Sequence, residues 1–181
     1  MDLTGVVEAI HGSGLSEWLR SSLKAMPIVE AIHVMATATV FGTILIVDLR
    51  LLGYPNVQRS FTRLHRELLS WTWAAFGVAV VTGVLLFMVN AITYYGNTAF
   101  RLKLVAMLLA GVNMAVFENV VGRSVATWDK GVPAPTAARM AGALSILLWV
   151  SVIVLGRWIG FTKGYDFSIP EDVQLDFEFP G

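Results

Sequence analysis

Residues 68–92, LLSWTWAAFGVAVVTGVLLFMVNAI, run for 25 positions without a formal charge. At about 1.5 Å of helical rise per residue, the stretch is long enough to cross a hydrocarbon core of roughly 30 Å. A soluble core has no use for so long an apolar run, and the segment reads as a membrane span.

Three further segments repeat the pattern. Residues 27–51 form the first, with Pro27 suited to an opening helical turn. Residues 100–121 form the third and carry Arg101, Lys103, Asn113, Glu118 and Asn119 in an apolar setting. Residues 140–156 are 17 uncharged positions between Arg139 and Arg157, and the fourth span continues through Trp158 to Phe161. The fold class expected is all-α, an integral membrane four-helix bundle. Composition agrees: of 181 residues 56% are hydrophobic and 14% charged, where a soluble domain has about 45–50% and about 25%. The mean hydropathy is +0.67. Tyr94, Tyr95 and Trp158 fall at one membrane face, and Trp71, Trp73 and Trp128 at the other. Gly77, Gly83 and Gly111 predict close helix packing.

Outside the bundle (residues 27–161) lie two segments. Residues 1–26 are expected to hold an interfacial helix over 15–23, with Leu15, Trp18, Leu19 and Leu23 on one stripe. Residues 162–181 form an acidic extended tail whose Val173, Leu175, Phe177 and Phe179 alternate with polar residues, a strand pattern without its own sheet. That tail, from Ile169 to Pro180, is a candidate docking segment for another subunit. Residues 55–66 read as a polar, basic loop. With Glu8 and Glu17 and no basic leader, the N-terminus does not read as a cleaved signal, so the first span is expected to direct insertion.

Thirteen basic and 13 acidic residues cancel, which leaves no electrostatic footprint for nucleic acid. Cysteine is absent, so disulfides, thiolate catalysis and cysteine-held metal clusters are excluded. No nucleophile–base pair or metal-ligand motif is visible, and catalysis by the chain alone is not expected. Four spans place both termini on one face. Seven Lys and Arg lie near the opposite face and six near the termini; setting aside Arg101 and Arg157 as bundle residues leaves seven against four. The expected orientation therefore has the loop face cytoplasmic and both termini periplasmic.

Ionisable residues at membrane depth mark sites or ion pairs. Glu30 and His33 are three apart and share a helix face that Thr37 continues. Arg101 opens the third span and Arg157 closes the fourth, so both are expected at the level of His33, with Met88, Tyr94 and Tyr95 arriving there from the second span. Imidazole ligates haem iron and arginines meet propionates, so the set suits haem b; it suits a quinone or an anionic headgroup equally. A bis-histidine haem is short of ligands: His65 lies at the far face, and His11 serves only if the N-terminus folds back. His11, His33, Met35 and Met88 are also soft enough for copper. A buried ion network of His33, Glu30, Arg101 and Arg157 that fixes helix register is the cofactor-free alternative. At the loop face stand Asp48, Arg50, Arg63, His65, Glu118 and Asn119, where Glu118 is expected to pair with Arg50.

The blocks VEAIHVM (29–35), VDLRLLG (47–53), AFRLKL (99–104) and GRWIG (156–160) together resemble the DUF6644 family of small bacterial four-helix membrane proteins. The resemblance covers about residues 20–161; it implies the fold and a bacterial inner-membrane location, and brings no activity. The tail beyond Phe161 stands outside that pattern. The functional expectation is a small inner-membrane subunit or anchor of a redox assembly. It would hold haem b or a quinone through His33, Glu30, Arg101, Arg157, Met88 and Tyr95, with His33 and His11 as metal candidates. The alternative is a cofactor-free interaction protein that docks a partner through its tail. Lipid bilayer and other subunits are the expected partners, and homo-oligomerisation is left open.

Overall fold

A computed structural model describes residues 3–54 and 58–162. The described elements are helices throughout. Two short ones, α1 (Leu3–His11) and α2 (Gly14–Ser21), precede α3 (Ala25–Leu52). Helix α4 (Phe61–Val89) passes through a single turn, α5 (Ala91–Gly96), into α6 (Thr98–Val116). A π-turn over Phe117–Val121 and a 3₁₀ stretch over Gly122–Thr127 extend α6, and α7 (Thr136–Thr162) ends the described chain. Four stretches are long and apolar enough to cross a membrane: Ala25–Leu52, Phe61–Val89, Thr98–Thr127 and Thr136–Thr162. The protein is an all-α membrane bundle. The acidic tail and its docking segment 169–180 lie outside the described residues.

The long helices pack as two antiparallel hairpins, α3 with α4 and α6 with α7, joined by α3 against α7. Helices α4 and α6 hardly touch, so the bundle has a seam between them. The tight approaches fall at particular glycines. A Cβ on Gly142 would stand 3.2 Å from the Asp48 carbonyl oxygen and 3.2 Å from Leu51 Cβ, and one on Gly83 would stand 3.2 Å from His33 Cε1. Gly77 and Gly111, expected to do the same, have nothing within 4 Å of that position.

Several boundaries differ from expectation. The second span begins at Phe61, because the Ser60 hydroxyl accepts the Arg63 N–H (3.2 Å) and Arg63 pairs with Glu67 one turn on (2.8 Å). Residues 61–66 are thus helix rather than loop, a wet turn of α4 whose caps and ion pair replace lipid contact. The helix expected over 15–23 is α2 (Gly14–Ser21), and a further helix, α1, precedes it. Ser16 and Leu19 are buried, while Leu15, Trp18 and Leu23 are exposed. The Ser16 hydroxyl donates to the Met88 carbonyl (3.0 Å), which fastens α2 beneath the end of α4.

At the loop end, Leu51, Phe61, Phe117, Trp128, Ala134 and Ala138 form a buried cluster. Trp128 was expected at the membrane surface; it is a core residue, its ring tilted against Phe61 with centres 5.2 Å apart and its indole N–H donating to Ser124 (3.1 Å). Beside it the buried Arg50 donates from Nε to the Arg59 carbonyl (2.8 Å) and from Nη2 to the Asp129 carbonyl (3.0 Å). Arg50 therefore does not pair with Glu118, the expected partner, because its long side chain turns out of the bundle to tie two loops. Asp129 completes the clasp. Its carboxylate accepts the Thr62 N–H and the Ser60 hydroxyl, both at 2.7 Å, and so caps α4 from a distant loop.

Candidate functional site

The termini half of the bundle holds the residues singled out around His33. His33 sits eight positions into α3, at roughly 12 Å of helical rise. Its Nδ1 lies 2.9 Å from Thr82 Oγ1, and the Thr82 hydroxyl donates to the Val78 carbonyl at 2.7 Å. Thr82 therefore accepts from Nδ1–H, and when the ring is neutral its lone pair is on Nε2. The ring fills the space over Gly83. Glu30 shares the face and is exposed, and Thr37 donates to the His33 carbonyl (2.8 Å) within its own helix.

The arginines do not converge there. Arg101, three positions into α6, is exposed and donates from Nε and Nη2 to the Tyr95 carbonyl at 3.0 and 2.8 Å, with its guanidinium 5.5 Å from the Tyr95 ring centre. Arg157 is exposed and lies over Phe161 at 5.8 Å. Met88 is half-buried, and His11 is engaged by Arg20 at 2.6 Å and 3.1 Å. The cation that enters this half of the bundle is Lys103, which is half-buried along Gly156. Its register was legible: Ala99, Lys103, Ala106 and Ala110 form one helical stripe, and the three alanines are all buried. Arg101 lies off that stripe. Among the described residues no group of three His, Asp or Glu side chains gathers as a metal site.

The loop half contains what sequence reasoning did not anticipate, a cavity of about 200 Å³ in the seam between α4 and α6. His65, Leu69, Thr72, Trp73 and Phe76 of α4 face Met107, Gly111, Asn113 and Met114 of α6 across it. Helices α3 and α7 supply its back wall through Val40, Ile44, Asp48, Ser145 and Trp149. The seam is pinned at both ends. On the loop side His65 Nε2 meets Glu118 Oε1 at 3.1 Å and Phe61 meets Phe117 edge-on at 5.7 Å. On the termini side Phe87, Tyr94 and Phe100 stack with centres 5.3 to 6.3 Å apart. The π-turn starting at Phe117 buries that ring and brings Glu118 to His65; such turns recur at functional sites.

The polar groups of the cavity are mostly committed. Asn113 Nδ2 donates to the Ala141 carbonyl (3.0 Å) and Thr72 donates to Thr43 (2.8 Å). Asp48 differs: it is 6% exposed, Ser145 stands against its carboxyl, and its Oδ2 has no hydrogen-bond partner among the described residues. An unmet carboxyl oxygen at membrane depth is costly unless the group takes up a proton or a partner meets it.

The family model DUF6644, a family of unknown function, matches residues 24–162. The chain belongs to this family. No curated protein and no solved structure matches it. The DUF6644 match spans all four membrane helices, and both Asp48 and the facing helices of the seam lie inside it.

Proposed function

We propose that this DUF6644 member is a membrane-embedded holding subunit, which takes a small amphipathic molecule from the bilayer into the cavity between α4 and α6. One observation carries the reading: the buried, unmatched Asp48 oxygen at the wall of a largely apolar, ring-sized space. The seam supports lateral entry, since α4 and α6 hardly touch between their pinned ends.

A haem at His33 would find Nε2 available, with Nδ1 held by Thr82, but not the two arginines expected for its propionates, since Arg101 and Arg157 are turned to Tyr95 and Phe161. Were the molecule a quinone, as the redox expectation has it, its ring would lie between Trp73, Phe76 and Trp149 and the chain would act as an anchor subunit. The inner-membrane location and the cytoplasmic loop face belong to the same proposal, supported by Arg59, Arg63, Arg66, Arg123 and Lys130 on the loop side.

The test is native mass spectrometry of the chain purified in mild detergent from its own membrane, beside Gly111→Leu, which fills the cavity from a position with open space. A bound small molecule on the unmodified chain, lost from Gly111→Leu, is the expected result. Equal adducts on both chains would overturn the reading, as would the absence of adducts together with no quenching of tryptophan fluorescence by an added short-chain quinone.

A further inference from the structure

We propose that the cavity is a site for an organic ammonium ion with an aromatic or alkyl body, held by Asp48 and the rings of Trp73, Phe76 and Trp149. The inference rests on the reading that the cavity binds a small amphipathic molecule, and it names the class.

The lining has acidic groups and no ammonium or guanidinium among the described residues. Two carboxylates reach it, those of Asp48 and Glu118, and none of the described residues that line it is Lys or Arg. Glu118 is met by His65. Asp48 Oδ2 is unmet, and Arg50, two positions along α3, is committed to the Arg59 and Asp129 carbonyls on the far side of the loop cluster. Asn113 donates to Ala141 and Thr72 to Thr43, so neither meets the free Asp48 oxygen. A neutral carbonyl ligand such as a quinone brings no donor to that oxygen, whereas an ammonium brings it a positive charge. The walls favour the same class. Aromatic faces attract ammonium groups, more strongly where water is excluded, and four aromatic side chains, Trp73, Phe76, Phe117 and Trp149, line this cavity. Met107 and Met114 add soft surface that adapts to an irregular apolar body. The α4–α6 seam is the entry expected for a molecule that partitions first into lipid.

The experiment compares benzyltrimethylammonium with its uncharged isostere neopentylbenzene, which share shape and differ in charge. Binding is read by tryptophan fluorescence on the full chain in lipid nanodiscs. Gly111→Leu reports partitioning into lipid alone. The cation is expected to bind at least about tenfold more tightly than the isostere, and Asp48→Asn is expected to remove that preference while leaving the isostere unchanged. If both probes bind equally and Asp48→Asn changes neither, the cavity still binds and the ammonium assignment is overturned. If neither probe nor a short-chain quinone binds in a manner that Gly111→Leu abolishes, the underlying reading falls as well. Because Asp48→Asn alters a buried position, Trp149→Leu provides a second measure: it should weaken the cation more than the isostere, and equal weakening counts against the proposal.

Discussion

Asp48 and Arg50, two positions apart on α3 and 6% and 2% exposed, do not neutralise each other: the acid faces the cavity and the guanidinium ties the loops. Residues at this spacing point to different sides of a helix. One turn of α3 thus serves both the candidate site and the closure of the bundle's loop end.

The loop end should depend on the guanidinium as a fork. Arg50→Met leaves the Arg59 and Asp129 carbonyls without its donors and should cost about 2–4 kcal/mol. Arg50→Lys should rescue little of this, because one ammonium does not reproduce a planar fork. Thermal unfolding in detergent checks both, and unchanged midpoints would refute the clasp.

Asp129 gives the clasp a pH dependence. The Thr62 N–H holds its carboxyl below the ordinary carboxylate range, with help from the Ser60 hydroxyl and the Arg50 charge. A depressed folded-state value means that the stabilisation is present above the unfolded value of about 3.9 and is lost as pH falls through the folded one. Thermal stability should therefore decline below about pH 5, and Asp129→Asn should flatten that decline while lowering stability at neutral pH. Parallel curves for the two proteins would contradict the assignment.

Glycine substitutions should separate by position. Gly142→Ala drives a Cβ to 3.2 Å from the Asp48 carbonyl oxygen, backbone that cannot swing aside, and should destabilise by about 1–3 kcal/mol. Gly77→Ala meets nothing within 4 Å and should be neutral or stabilising by up to about 1 kcal/mol. Denaturant titrations of the two variants side by side decide it.

The seam should loosen when its loop-side pin is removed. The chain contains no cysteine, so Arg66→Cys and Arg123→Cys, both exposed positions, can be spin-labelled cleanly. Adding His65→Ala to this pair should broaden the distance distribution between α4 and the 3₁₀ stretch after α6. An identical distribution would show that Phe61 and Phe117 hold the seam without the ion pair.

The spans were legible because 25 uncharged residues admit few other readings, and the inward stripe of α6 was there to be seen in Ala99, Ala106 and Ala110. What eluded sequence reasoning was partnership across the chain. Arg101 looked like a bundle residue, but the carbonyl it finds belongs to Tyr95 just before it. Trp128 looked like an interfacial anchor, because its burial depends on Phe61 and Leu51, both far away along the chain. The cavity has no sequence signature at all. It arises from a missing contact between α4 and α6, and no local pattern of residues records which pair of helices fails to meet.

The cluster around Trp128 also sets an order of assembly. It draws Leu51 and Phe61 from the first helical hairpin and Phe117, Trp128, Ala134 and Ala138 from the second. Each hairpin can enter the bilayer on its own as the chain is synthesised, but the cluster has no meaning until both are in place. A ribosome-bound chain that stops before α6 would leave Leu51 and Phe61 uncovered at the membrane surface, visible to quality-control machinery until the last hairpin arrives to cover them.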